Sequence, residues 1–259
     1  MAMSETSDPK PNDAFQWTQE PWGRALRCLR LPAPHLFTSR DVVLRDDERE
    51  WAAVAASLGV AADRLRLVKQ VHGVNVAVAR RGEAWPSARP QADIVITNDP
   101  AVAVGVRTAD CAAILLYDRA KNVAGAAHAG WRGTAAHAAV AAVRAMQEEF
   151  ATSPRDLVAA IGPSLGQCCG EVGPEVVEAF RAGGADAASI ARWFTAGTGD
   201  RSLLDLERAN AEQLQRAGVA AASIFTTNLC TKTNPDRLHS YRAHGAAAGR
   251  LLGAIRCAG

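Results

Sequence analysis

Apolar positions along this chain gather into short dense runs, separated by glycines, prolines and charges. The run "LRLVKQVHGVNVAVAR" predicts two strands, Leu65 to Val71 and Val74 to Ala79, broken at His72-Gly73. "ADIVITNDP" predicts a short strand ending in a turn. "AVAVGVRTAD" and "CAAILLYD" are β-rich runs on either side of Thr108-Ala109-Asp110, and "NVAGAAHAG" is a further buried strand. Elsewhere the period lengthens. "DDEREWAAVAASLG" predicts a helix, with acidic residues crowding its start to suit the helix dipole and Gly59 at the C-cap. "GTAAHAAVAAVRAMQEEF" predicts one long alanine-rich helix. "GPEVVEAFRAG" predicts another, with Pro174 near its start. In "LLDLERANAEQLQRAG", Leu203, Leu206 and Leu214 put an apolar face opposite a charged one. "SPRDLVAAIGPS", "SIFTTNLC" and "GRLLGAIR" complete the set as strands. Helices and strands come in irregular order, which favours an α+β fold over a doubly wound sheet. No repeat or linker divides the chain. A polar tail over residues 1–16 and a single domain over 17–259 are expected.

Composition narrows the class. The 259 residues are 48% hydrophobic, 22% charged and 5% aromatic, which is a globular balance with enough apolar mass for a substantial core. No apolar run reaches the roughly 18 residues that a membrane helix needs, so no membrane partner is expected. The net charge of +2 is spread in both signs, which argues against a nucleic-acid surface. The opening "MAMSETSDPKPNDAF" lacks the basic-then-apolar pattern of a secretory signal, so a cytoplasmic location is expected. There the six cysteines should be reduced, and none stands in a CxxC pair of a zinc ribbon.

Three polar residues then stand out against their surroundings. Cys111 and His128 lie in apolar runs, and His72 lies where two predicted strands break. Any one of them is ordinarily a packing residue. Each, however, falls at a strand-to-turn junction, and together they suit either a His-Cys-His zinc site with an open position or a Cys-His nucleophilic pair. Their spacing does not choose between these. "HAGWRGTAAH" adds a Gly-x-x-Gly turn before a helix, which offers the backbone of Gly130 and Gly133 with the Arg132 guanidinium to a phosphate or carboxylate. "SYRAHGAAAGR" offers Tyr241, Arg242 and Arg250 as a second clamp on an anion. The vicinal Cys168-Cys169 pair reads as buried or turn-forming rather than metal-binding.

In chain order, "VKQVHG", "RTADCAAILLYD", "AAHAGWRGTAA", "AIGPSLGQCCGEVGPEV", "TNLCT" and "SYR" followed by "GR" resemble the laccase-domain family. These multicopper polyphenol oxidase-like proteins are also called the YfiH-type purine nucleoside phosphorylases. The resemblance runs from about Val68 to Arg250. It implies a four-layer αββα sandwich shared with cysteine-hydrolase-like toxins, and a zinc bound by His72, Cys111 and His128. Two departures touch possible substrate contacts. The segment "LFTSRDVVLRDDEREWAAVAASLG" is shorter than the family's, and Ala243 and His244 replace an arginine and an acidic residue.

The activity so implied is phosphorolysis of purine nucleosides such as adenosine, inosine and methylthioadenosine, with adenosine deamination in the same pocket. That chemistry needs a held phosphate, for which Gly130, Arg132, Gly133 and Arg242 are candidates. Deamination also needs a general acid/base, for which Asp110 is the candidate, since the nucleobase-deaminase His-x-Glu and Pro-Cys-x-x-Cys pattern is absent. The alternative is an amidase that edits cell-wall precursors, with Cys111 as nucleophile and His128 as base. A copper polyphenol oxidase, with copper in place of zinc, is the third reading, and six histidines without an HxH pair speak against it.

Overall fold

Strand Ala112–Asp118 is buried at every position, and its alternate residues serve two different cores. Ala112, Ile114 and Leu116 face one way; Ala113, Leu115 and Tyr117 face the other. A strand apolar on both faces needs a layer on each side, and the rest of the chain supplies them.

The structure is a computed structural model that describes residues 8–259. It opens with strands β1 (Phe15–Glu20), β2 (Gly23–Cys28) and β3 (His35–Thr38), then helix α1 (Glu48–Ala56). Strands β4 (Leu65–Leu67), β5 (Val76–Ala79), β6 (Ile94–Thr97), β7 (Ala103–Thr108), β8 (Ala112–Asp118) and β9 (Val123–Ala129) follow. Helices α2 (Trp131–Ala135) and α3 (Ala138–Phe150) lead into β10 (Leu157–Ile161) and β11 (Glu171–Val172). Then come α4 (Pro174–Ala182), α5 (Ala187–Trp193), β12 (Phe194–Ala196), β13 (Ser202–Leu204) and α6 (Leu206–Arg216). Strand β14 (Ile224–Thr226), helix α7 (Tyr241–His244) and strand β15 (Leu251–Arg256) complete the chain.

Among the described residues these form two six-stranded sheets, ordered β1-β2-β3-β15-β7-β4 and β14-β10-β8-β9-β6-β5, and a small sheet β11-β13-β12. Leu26, Phe37, Val104 and Val106 of the first sheet meet Val95, Leu115, Ala126 and Val158 of the second. The second sheet's other face, with Ile94, Ile114 and Leu116, packs on Val143 and Met146 of α3, Phe180 of α4 and Leu214 of α6. The first sheet's outer face, with Leu36, Leu252 and Ala254, takes Val54 and Ala55 of α1. The layers therefore run helix, sheet, sheet, helix, which is the four-layer αββα order expected.

Several elements differ from the sequence reading for local reasons. The two strands around His72-Gly73 are shorter, and they belong to different sheets: β4 pairs with β7, β5 with β6. The break is thus a crossover between layers. The long alanine-rich helix is two helices, because His137 adopts left-handed φ 64° between α2 and α3. The strand predicted from "SIFTTNLC" stops at Thr226, where the Glu207 carboxylate takes the Thr227 hydroxyl and the Asn228 N–H. Backbone pairing begins at Phe15, and Asp8 already bridges Arg24 (3.1 Å) and Arg237 (2.6 Å), so ordered chain precedes the Trp17 boundary. Residues 1–7 of the expected tail lie outside the described residues.

Candidate metal centre and active site

Three neighbouring strands of the second sheet end together. Cys111 immediately precedes β8, His128 lies at the end of β9 opposite Ala113, and Asp93 immediately precedes β6. Strand pairing therefore places Cys111, His128 and Asp93 side by side, although up to 35 residues separate them. The crossover between sheets brings His72 over the same edge. Its backbone is left-handed (φ 62°), a conformation that costs free energy for a non-glycine residue. The buried Asp93 carboxylate offsets that cost, accepting the N–H groups of Val71 (3.1 Å), His72 (2.9 Å) and Gly73 (2.7 Å).

Asp93 also accepts from His128 Nδ1 at 2.8 Å, which leaves Nε2 facing the thiol. Burial alone would keep His128 neutral. Its bonds to Asp93 and Cys111 outweigh burial and raise its pKa to about 9. Burial likewise pushes the Cys111 thiol up, but hydrogen bonds to His128 and His72 outweigh it and lower the thiol to about 7. Both shifts favour moving the thiol proton onto His128. The His72 and His128 rings meet edge to face, centroids 4.9 Å apart. One ligand atom from each of His72, Cys111 and His128 lies within 4.8 Å of the others, so the three can converge on one cation. Two imidazoles and a thiolate, one imidazole oriented by a buried carboxylate, fit a borderline-soft metal well and a magnesium ion poorly.

Gly130 contributes clearance. A Cβ there would lie 2.5 Å from Cys111 Sγ, so only glycine allows the chain to pass the sulfur. Gly130 also lines the cavity, where the anion-binding amide was expected. Gly133 is buried inside α2 against the His128 carbonyl, behind the cavity wall. Helix α2 is itself pinned from behind, where Asn210 and Gln213 of α6 bond Thr134.

A cavity of about 680 Å³ opens above the three residues. Arg132 and Arg242 line it as expected, Arg132 exposed with its guanidinium over the Trp131 ring at 4.1 Å. Arg242 donates to the carbonyls of Cys169 (3.3 Å) and Glu171 (3.1 Å). Lys69, Arg107 and Arg250 line the wall as well. Against these five cations stands one acid, Asp110, and its oxygens are taken. They accept from the Thr231 and Ser240 hydroxyls (2.6 Å each) and from the Arg242 N–H (2.5 Å). Asp110 lines the cavity as expected, and these three donors tie three loops together through it. The wall is net cationic, which suits an anionic reactant.

Sequence reasoning missed Asp93, Lys69 and Arg107. A lone acid opening the buried strand "IVIT" was the available signal for Asp93, since a buried carboxylate needs partners. Lys69 and Arg107 join the cavity only through the β4–β7 pairing. Of the chain's other histidines, none joins a group of three or more donors able to share a cation among the described residues.

Comparison with known proteins agrees with this geometry. Residues 44–258 match the family described as multi-copper polyphenol oxidoreductase laccase. A protein of Deinococcus radiodurans named purine nucleoside phosphorylase is 34% identical over 250 residues, 89% of this chain and 91% of its own. Adenosine deaminase RL5, from an unknown prokaryotic organism, is 36% identical over 208 residues, 78% of each chain. The crystal structure of YlmD from Geobacillus stearothermophilus superposes with a TM-score of 0.83 at 27% identity, covering 96% of this chain and all of that one. With residues 44–258 inside the family match and the fold shared over 96% of the chain, this protein belongs to the multi-copper polyphenol oxidoreductase laccase family, the YfiH and YlmD group.

Proposed function

We propose that this protein is a zinc-dependent purine nucleoside phosphorylase, which transfers the pentose of adenosine, inosine or methylthioadenosine from base to phosphate, and that it deaminates adenosine in the same cavity. The observation that carries this reading is a metal-competent His72-Cys111-His128 trio beneath a cationic cavity of nucleoside size. The names of the relatives support it. Zinc bound by the trio would supply Lewis acidity toward the substrate or water. The chain's own residues would do the rest. Arg132 and Arg242 hold phosphate, Asp110 fixes the Arg242 backbone, and Asp93 keeps the His128 Nδ1 proton so that Nε2 stays available. Incubation with each nucleoside, with and without phosphate, tests this. Base and pentose 1-phosphate should form only when phosphate is present, and absence of both products for every nucleoside would reject the phosphorylase.

A second reading is favoured by one observation: the Cys111-His128 pair oriented by Asp93 has the arrangement of a Cys-His-Asp amidase. Metal content separates the two, because a tightly held cation ties up the sulfur. Amide hydrolysis by metal-free protein would favour the amidase.

A further inference from the structure

A second group of sulfur atoms lies behind the cavity wall, outside the machinery described so far. Cys168 and Cys169 sit on a single helical turn, Gln167–Cys169, just after the Leu165 edge of the cavity. Cys230 comes from the loop after β14, more than sixty residues later in sequence, and pairs by a backbone bridge with Ser164. The three Sγ atoms lie within 4.8 Å of one another, with Cys168 and Cys169 3.8 Å apart. We propose that Cys168, Cys169 and Cys230 form a second metal site, which takes one thiophilic d10 cation, Zn²⁺ or Cu⁺.

The local construction holds the sulfurs together from both sides. Ser164 N–H donates to the Leu229 carbonyl (3.3 Å), and Thr231 N–H to the Ser164 carbonyl (2.9 Å). Asn234 Nδ2 caps the Cys230 carbonyl at 2.8 Å. Gly166 makes the approach possible, since a Cβ there would lie 2.9 Å from Cys230 Cβ and 3.5 Å from the Cys168 and Cys230 sulfurs. Next to this bridge the Ser164 hydroxyl is buried and has no hydrogen-bond partner among the described residues. Cys230 is buried and Cys168 exposed, so the group reaches from interior to surface and an ion can enter.

The donor set dictates the cation. No carboxylate or imidazole belongs to the group, so hard cations such as magnesium and calcium have nothing to bind. Three sulfurs within 4.8 Å of one another suit a soft cation that takes thiolates as ligands. The group also touches the active site, because the Cys169 carbonyl accepts from Arg242.

The test begins with the full-length Cys111→Ser protein, in which the first site is disabled, kept fully reduced. Titration with Zn²⁺ and, anaerobically, with Cu⁺ should each give uptake of about one equivalent, with thiolate-to-copper charge-transfer absorption in the second case. The exposed Cys168→Ser change, added to Cys111→Ser, should weaken uptake by about tenfold or more without disturbing the fold. Cys230→Ser should abolish it. Preference for one ion over the other names the occupant and supports the site in either case. Failure of reduced Cys111→Ser protein to take up either ion would overturn the proposal, as would uptake indifferent to Cys168→Ser. So would a protein lighter by two hydrogens that regains three free thiols on reduction and then still binds nothing, which would make the group a disulfide switch.

Discussion

His35 and His128 are both buried imidazoles, each on a strand of one of the two large sheets, yet their surroundings drive them apart. At His35 the ring lies between two backbone groups. Its Nδ1–H donates to the Ala33 carbonyl (2.7 Å), and its Nε2 accepts the Cys28 N–H (2.8 Å). That pair of bonds admits only the neutral ring. Burial, the larger influence, and the Arg27 charge bring its pKa down to about 4. At His128 burial acts in the same direction and loses to a carboxylate and a thiol. Burial favours the neutral ring at both sites, and the charge differs because acidic partners oppose burial at His128 alone. A ring satisfied by backbone is architecture, while a ring oriented by a buried acid is poised for a proton or a metal.

The largest expected effect comes from emptying the His128 end. Cys111→Ser should lose metal and turnover together, since serine is a poor ligand at neutral pH. His72→Ala should do the same, as measured by elemental analysis beside a nucleoside assay. A metal-free His72→Ala protein with near-full turnover would refute the zinc mechanism and leave a Cys111-His128 dyad.

The His35 end should show itself in acid. Between pH 6.5 and about 4 the unfolded chain binds a proton at this histidine that the folded chain refuses. Its contribution is therefore complete above pH 6.5 and is lost as pH falls toward 4, by about 3 kcal/mol from the size of the shift. Unfolding free energies measured across that range should fall less steeply for His35→Gln than for the unaltered protein. Equal slopes would mean that His35 is not held neutral.

The sequence made part of this contrast legible. His72, Cys111 and His128 stood out because polar groups at strand ends break an apolar pattern, and pairing of β8 with β9 brings two of them together. The runs alone supported an α+β fold, and the four-layer order came only from the family resemblance. Asp93 was not legible as a partner, because its role depends on the β6–β9 register and on three amides from a crossover 20 residues earlier. Nor was the difference between "PHLFT" and "GAAHAG", since each is a histidine in an apolar run. The broken helix at His137 and the third sheet escaped for a similar reason: tertiary contacts override a local helical or strand period.

Asp93→Asn sharpens the comparison by giving His128 a neutral partner, as His35 has. The amide oxygen can still accept, but the charge that holds His128 near 9 is gone. Loss of such an orienting carboxylate typically costs about 10–100-fold in metal affinity or activity, and competition against a chelator would measure it. An Asp93→Asn protein that folds normally and binds metal as tightly as before would show that geometry alone positions the ring.

The smallest expected effect concerns what the two ends face. His35 is buried against the backbone of Cys28 and Ala33, whereas His128 lies under a wall of five cations. If Arg132 uses that wall to hold phosphate, Arg132→Ala should raise the apparent phosphate requirement about tenfold or more and the nucleoside requirement much less, since a charge-assisted bond contributes roughly 1.5–3 kcal/mol. Arg107→Ala is the companion measurement. Arg107 is half-buried near Arg89 and Arg250, and burial first, then these like charges, lower its pKa, so it too has reason to attract an anion. A phosphate requirement that moves with Arg107 and not with Arg132 would shift the anion to the Lys69 and Arg250 side of the cavity and leave Arg132 as a cation stacked on Trp131.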